Sequence, residues 1–198
     1  MAQLTIARAG DYSDQPRHIS PARIAVASVL SFGFYSIYWH YLTWKQMGRD
    51  GDAHRPVWHA IGFVVPFASL AINHRHASLI RVRSAEAGNE PSVRPRVITA
   101  MVFGVGSSLL AQILFLNLNT LDSELTELVI ALSMDAFDTL MLMGIVLWSQ
   151  RDLNGVWRMG PGELSREARL GIGELAALGV GGYFWFRSIS CLVTLIGE

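Results

Sequence analysis

Two aspartates in the middle of an apolar run carry the clearest chemical signal in this sequence. Asp135 and Asp138 each lie ten residues from one end of the run 125–148. Residues three apart on a helix share a face. If this helix crosses a bilayer, both carboxylates lie near the midplane, where each costs about 2.5–3.5 kcal/mol. The pair therefore predicts a proton relay or an ion pathway, or else a structural polar seam between helices.

A third charge lies at a similar position in another apolar run. Arg187 is close to the centre of the run 175–196. A guanidinium at mid-depth is tolerated when it pairs with a carboxylate through charge-assisted hydrogen bonds. We therefore expect Arg187 to pair with Asp135, Asp138 or both. Polar residues at comparable depth in the preceding run complete the predicted intramembrane polar cluster, namely Ser107, Ser108 and Gln112.

Other candidate chemistry is weak. The stretch "DGDAHRPVWH" offers Asp50, Asp52, His54 and His59 as metal ligands. Their spacing matches neither a HExxH helix nor an EF-hand loop, so a solvated loop is the preferred interpretation. The single cysteine, Cys191, excludes a disulfide scaffold. We predict no catalytic residue, no metal and no cofactor, and we expect a protein that is not an enzyme.

The composition indicates a bilayer as the solvent for most of the chain. Only 16% of the 198 residues are charged and 51% are hydrophobic, whereas about a quarter of an ordinary soluble domain is charged. The formal net charge is zero and no basic patch alternates with aromatic residues, which excludes nucleic acid as a partner. We expect the lipid bilayer as the main partner, with another membrane protein or a second copy as a further one.

The apolar residues gather into segments that approach the length of a membrane span. A spanning helix needs about 17–25 apolar residues, and five segments reach that range: 24–43, 57–73, 97–118, 125–148 and 175–196. The second is at the short limit and contains Pro66. The predicted organisation is a polar cytoplasmic tail (1–22), a four-helix membrane domain (23–158), and a linker with a C-terminal membrane helix (159–198).

The distribution of basic residues predicts the orientation. With the N-terminus inside, the five-crossing arrangement places twelve basic residues in the cytoplasm and only Lys45, Arg49 and Arg55 outside. Cytoplasmic loops carry the excess of Lys and Arg, so we expect an N-in, C-out topology. In a second arrangement the first two segments form a hairpin that never fully crosses. Those three residues then face the cytoplasm as well, and three crossings remain.

The first segment is also unusually aromatic. Trp and Tyr settle where hydrocarbon meets headgroups. The stretch "SFGFYSIYWHYLTWKQM" therefore predicts an interfacial aromatic belt, with some rings packing on neighbouring helices. A cation-binding cage is the alternative, and it would need aromatic residues from several helices. The predicted belt residues are Tyr35, Tyr38, Trp39, Tyr41 and Trp44.

The same stretch resembles the signature of a bacterial membrane-protein family called domain of unknown function 4234. The resemblance covers about residues 19–158 and rests on "SVLSFGFYSIYWHYLTWKQM", "FVVPFASLAINHRHASLIRVRSAEAG" and "WSQRDLNGVW". The matching positions are Gly33, Tyr35, Tyr38, Trp39, Lys45, Gln150, Leu153, Asn154 and Trp157. Phe32 and Phe34 depart from the pattern, since Leu and Ile are expected there. The resemblance implies a membrane protein and no known activity, substrate or cofactor.

Together these observations predict an all-α, multi-pass transmembrane helical bundle of five helices. We expect a small protein of the bacterial inner membrane that acts through helix packing or partner binding. The alternative is a proton- or ion-coupled transporter that uses Asp135, Asp138 and Arg187. The direction of the two carboxylates separates the two functions. A transporter turns them toward a water-accessible cavity, and a scaffold buries them against Arg187.

Overall fold

The computed structural model describes residues 18–47, 56–118, 124–158 and 171–197. These ranges fold as helices without strands. Three of the helices are long and apolar enough to cross a membrane. The helices are α1 (Pro21–Leu30), α2 (Tyr35–Met47), α3 (Pro56–Val64), α4 (Pro66–Glu86), α5 (Pro95–Leu118), α6 (Glu124–Arg158) and α7 (Ile172–Gly197).

The first predicted span is broken in its middle. α1 starts at Pro21, where the hydroxyl of Ser20 accepts a hydrogen bond from the Arg23 amide, an ordinary N-cap. It ends in a Schellman motif, in which the Gly33 amide donates to the Ser28 carbonyl at 2.8 Å. Phe32 and Gly33 both have positive φ, 56° and 83°. This left-handed pair ends the helix, so the chain cannot continue across as one span.

After the break, α2 turns back along α6. At the start of α1, the amide and carbonyl of Ile19 both bond to the side chain of Asn154 near the end of α6. At the tip, Gly33 lies beside Thr139 and Leu142. The indole of Trp39 then donates to Gln150 at 2.6 Å. Following the chain from α1 through the tip to α2, the contacted residues of α6 thus run from 154 to 139 and back to 150. α1 and α2 therefore form a helical hairpin.

The second predicted span forms another hairpin. Pro66 cannot donate a backbone hydrogen bond, and α3 ends at Val64 before it. On α2, His40 contacts both Phe63 of α3 and Asn73 of α4. One turn further along α2, Trp44 contacts both His59 and His76.

The first helix of each hairpin is short compared with a bilayer. α1 has 10 residues and α3 has 9, about 15 Å each, which is half of the roughly 30 Å hydrocarbon core. The expected five crossing helices are therefore not confirmed. Three helices, of 24, 35 and 26 residues, are long enough to cross: α5, α6 and α7.

The predicted aromatic belt is wrong for three of its five members. Tyr35, Trp39 and Trp44 are completely buried among the helices, where they cannot contact lipid headgroups. Tyr38 and Tyr41 are partly exposed. The reason is the hairpin, because α2 returns along α6 and is covered by α3, α4 and α7. Trp39 and Trp44 flank the buried imidazole of His76, with ring centroids 5.3 and 5.0 Å from it.

A network of satisfied polar groups holds the end of the bundle opposite the hairpin tips. Gln150 accepts from Trp39 and donates to Asn154 at 2.7 Å. Asp152 accepts from the amides of Ser92 and Val93, both at 2.8 Å, and from the Ser92 hydroxyl at 2.6 Å. These bonds fix the connection before α5 against the end of α6.

Candidate functional site

The hairpin tips, α5, α6 and α7 enclose a cavity of about 340 Å³. Its wall is mostly apolar, with the two predicted aspartates among a few polar groups. The lining residues are Phe32, Gly33, Phe34, Ser36 and Ile37 of the first hairpin, Phe63, Val64 and Ser69 of the second, Val102, Val105, Gly106 and Leu109 of α5, Asp135, Asp138, Thr139 and Leu142 of α6, and Phe184 of α7.

One face of α6 supplies the acidic wall. Asp135, Asp138, Thr139 and Leu142 follow the i, i+3, i+4, i+7 spacing of a single helix face, and all four line the cavity. The first hairpin approaches this face at Gly33. A side chain at that position would contact the methyl of Leu142 at 3.3 Å. Glycine at the tip therefore permits both the positive φ and the close approach.

Asp138 is the most unusual group in this wall. Its side chain is buried, with 7% of the residue exposed. Oδ2 accepts a hydrogen bond from the Gln112 amide at 3.2 Å, whereas Oδ1 is buried and forms no hydrogen bond of ordinary geometry. The buried Ser108 hydroxyl, on the facing turn of α5, is a neighbouring donor for this carboxyl. No basic side chain lines the cavity to offset the charge of this buried group.

Asp135 shares the site at lower burial. It is partly exposed, lines the same cavity and lies within reach of Gln112. The structure thus brings together four members of the predicted polar cluster: Ser108, Gln112, Asp135 and Asp138. Ser107 is exposed and does not line the cavity.

Arg187 does not join the cluster. Its side chain is exposed, and in the described part of the chain the ion pairs are Arg23–Glu174 and Arg83–Glu86. The predicted pairing with Asp135 or Asp138 is therefore wrong. On the preceding turn of α7, Trp185 donates to the Val29 carbonyl of α1 at 2.9 Å and Phe184 lines the cavity, whereas Arg187 lies at an exposed position.

Small residues allow α7 to pack closely on the first hairpin. Ala177 and Gly181 are buried on the face of α7 that meets this hairpin, and a side chain at Gly181 would collide with the backbone of Ser31. α7 is also held at its start, where Arg23 pairs with Glu174 through both carboxylate oxygens. These contacts fix α7 against the first hairpin through a small-residue stripe.

Of the four metal-ligand candidates near the start of α3, only His59 lies in the described residues, and its position does not support a metal site. His59 stacks on Trp44 with ring centroids 3.8 Å apart, while Asp50, Asp52 and His54 lie outside the described residues. Among the residues with described positions, no group of three or more His, Cys, Asp and Glu side chains could hold a metal ion.

Aromatic side chains form a part of the site that no sequence pattern predicted. Phe184 packs against Phe32 and Phe34, with ring centroids 6.0 and 5.5 Å apart, and Phe63 approaches from the second hairpin. No sequence spacing connects these positions, because they converge from three different elements. Gly33 and Pro66 each lie in the interior of an apolar run. Because both residue types interrupt helices, they are the sequence features that could have predicted the breaks at which these rings converge.

The electrostatics of the site favour positive charge. Asp135 and Asp138 are the only titratable side chains among the lining residues, and none of these residues is Lys, Arg or His. Chemically, the arrangement can exchange protons and can pair with a cation that tolerates apolar surroundings.

No family model, curated protein or solved structure matches the chain, so the resemblance to domain of unknown function 4234 stays a prediction.

Proposed function

We propose that this protein is a proton-coupled membrane transporter whose site is the mid-depth cavity containing Asp135 and Asp138. One observation carries the proposal: Asp138 is a buried carboxyl at the cavity wall whose partners among the described residues, Gln112 and Ser108, are uncharged, and no basic side chain lines the cavity. A structural seam would neutralise such a group with a basic residue from a second helix. A transporter leaves it available, so that a proton and a ligand can occupy it alternately.

The hairpin tips support this function. The turn at 31–34 brings non-helical backbone to the depth of the aspartates. Within a bilayer, such backbone is tolerated only where protein buries it or where it lines a water-containing cavity. The tip therefore fits a site that water and protons can reach.

We also propose an N-in, C-out topology with three crossings. The hairpins enter and leave on the same side of the bundle, so this topology puts Lys45, Arg49 and Arg55 on the side of the other twelve basic residues. The variant Gly51→Cys, in a Cys191→Ser background that leaves it as the single cysteine, tests this topology. We expect a membrane-impermeant maleimide to label this cysteine only after the cytoplasmic face is opened. Labelling in intact cells would support five crossings instead.

A hydrophobic carbodiimide tests the site itself, because it reacts with protonated carboxyl groups in apolar surroundings. We expect dicyclohexylcarbodiimide to modify Asp138 in membranes, detected by peptide mass spectrometry, and we expect Asp138→Asn to abolish this product. Asp152 is the matched control, since it is equally buried but accepts three hydrogen bonds. Absence of label at both Asp135 and Asp138, or equal labelling of Asp152, would overturn the proposal.

A non-enzymatic role in packing against another membrane protein or a second copy is the competing proposal. Exposed apolar side chains on α5 and α7 are compatible with it, but they suit contact with lipid equally well. The location in a bacterial inner membrane rests on the family resemblance and belongs to the same set of proposals.

A further inference from the structure

We infer that the cavity takes a hydrophobic organic monocation, an ammonium or phosphonium centre that carries apolar substituents. This inference names the substrate class of the proposed transport site and therefore rests on the proposed function. It combines three observations: the buried carboxyl of Asp138 without a basic partner, the aromatic side chains that line the same cavity, and the size of the cavity.

The charge of the ligand follows from the wall. Asp138 is more than nine-tenths buried, its neighbouring donors Gln112 and Ser108 are uncharged, and the cavity lining contributes no basic side chain. A neutral apolar ligand would leave the carboxylate without a counter-charge, and an anion would be repelled. Asp135 lies one turn away, and two neighbouring carboxylates repel each other when both are ionised. A single positive charge therefore matches a site in which one carboxyl stays protonated.

An inorganic ion fits the wall less well than an organic one. Ca²⁺ and Mg²⁺ need about six or more oxygen ligands, and the lining is dominated by Phe, Val, Leu and Ile side chains. These apolar groups suit hydrocarbon substituents instead. Phe32, Phe34 and Phe184 pack together beside the cavity, and aromatic faces attract a cation within about 6 Å.

The dimensions agree with a small organic molecule. The cavity volume of about 340 Å³ lies at the lower end of the range of roughly 300–1,000 Å³ found for small-molecule sites. Space for one aromatic ring and a compact quaternary centre is available, so benzyltrimethylammonium is a suitable probe. Its carbon isostere, neopentylbenzene, has the same shape and no charge.

Calorimetry on the full-length protein in phosphatidylcholine nanodiscs tests the inference. We expect benzyltrimethylammonium to bind at least about tenfold more tightly than neopentylbenzene, because only the cation pairs with Asp138. Asp138→Asn should weaken cation binding by about 30-fold or more, since one partner of a buried charge pair is lost. Glu127→Gln removes a carboxylate from α6 that does not line the cavity and should leave binding unchanged.

Two further measurements keep the test decisive. Phe184→Leu should weaken binding of the cation more than binding of the isostere, whereas Phe103→Leu, at an exposed position outside the cavity, should change the affinity for neither.

Lowering the pH should weaken cation binding, because protons compete for Asp135 and Asp138, the only titratable groups among the residues that line the cavity. Thermal unfolding of each variant, compared with the parent protein, checks that folding is retained.

The outcomes separate this inference from the proposed function. Equal affinity for the cation and its isostere, or binding of Na⁺ alone, would overturn the substrate class, while carbodiimide labelling of Asp138 would still support the transport site. Absence of cation binding together with absence of labelling would overturn both.

Discussion

Two buried aspartates on the same helix have opposite environments. Asp138 and Asp152 lie fourteen residues apart on α6, and 7% and 6% of their surfaces are exposed. Asp152 accepts three hydrogen bonds, two of them from backbone amides. Asp138 accepts one of ordinary geometry, from Gln112, with the Ser108 hydroxyl as a second neighbouring donor and no backbone amide. Burial is therefore the same, and the number and kind of the donors differ.

This difference indicates what each residue does. The surroundings of Asp152, including Gln150 and Asn154, form the polar end, where buried hydrogen-bonding groups hold α1, α2, α5 and α6 together. The surroundings of Asp138, including Gln112, form the cavity end, where polar groups face an opening. A carboxylate with all its oxygens bonded has no capacity left for a ligand, whereas a partly bonded one does. The predictions below compare the two ends.

The largest expected effect is on stability, from the same substitution at both aspartates. Asp152→Asn places an amide nitrogen among backbone donors and weakens charge-assisted bonds, so the free energy of unfolding should fall by about 2–4 kcal/mol. Asp138→Asn should change it by less than about 1 kcal/mol, because no backbone amide donates to that carboxylate and its one bond, from Gln112, is long. Equilibrium unfolding in mixed micelles measures both. A larger loss for Asp138→Asn would invert the comparison.

Acidification should weaken the part of the bundle next to the polar end. Burial lowers the pKa of His40 to about 4, in a helix that is not one of the three that are long and apolar enough to cross a membrane. Below pH 6.5 the unfolded chain binds a proton at this residue and the folded chain does not, so stability falls as the pH drops from about 6.5 to 4. The slope is up to about 1.4 kcal/mol per pH unit.

Unfolding curves at several pH values test this slope. His40→Gln removes one titrating group and should flatten it, whereas His74→Gln, at an exposed position, should leave it unchanged. A slope that is unaltered in His40→Gln would mean that other groups, including the buried imidazole of His76, dominate.

A matched pair of glutamines gives the next smaller effect. Gln150→Leu removes the acceptor of the Trp39 indole and the donor to Asn154, so it should cost about 1–3 kcal/mol. Gln112→Leu removes one long bond to Asp138 and should cost less than about 1 kcal/mol. Thermal unfolding of the two variants compares them directly. Equal losses would contradict the distinction between the ends.

The smallest effect comes from two glycines with positive φ. Gly33 and Gly88 have φ of 83° and 74°, so alanine should cost about 1 kcal/mol at each. A Cβ at Gly88 meets nothing within 4 Å, whereas at Gly33 it meets Leu142 at 3.3 Å. Gly33→Ala should therefore be destabilising by a few tenths of a kcal/mol more, which replicate thermal scans can resolve. A larger loss for Gly88→Ala would contradict the close approach at the tip.

Much of this structure follows from local sequence properties. The run 125–148 specified a long apolar helix with two aspartates on one face, and α6 has both. Ser108 and Gln112 were correctly placed at the depth of that pair, because depth depends only on distance along a helix. The all-helical fold likewise follows from composition and segment length.

The errors arose where the result depends on how helices rotate and where they break. The predicted pairing of Arg187 with the aspartates does not form, and its side chain is exposed on α7. Trp39 and Trp44 have the composition of an interfacial belt, yet the left-handed turn at Phe32 and Gly33 folds them into the interior. Both outcomes depend on contacts between distant segments, which a single sequence does not specify.

The half-length hairpins have a consequence for the surrounding lipid. On one side of the level of Asp138, the described part of the bundle contains all seven helices, and on the other side it contains mainly α5, α6 and α7. Its cross-section is therefore much larger in one leaflet than in the other. A wedge of this kind displaces unequal lipid area from the two monolayers, so many copies in one patch of membrane would favour curvature toward the leaflet with the smaller cross-section.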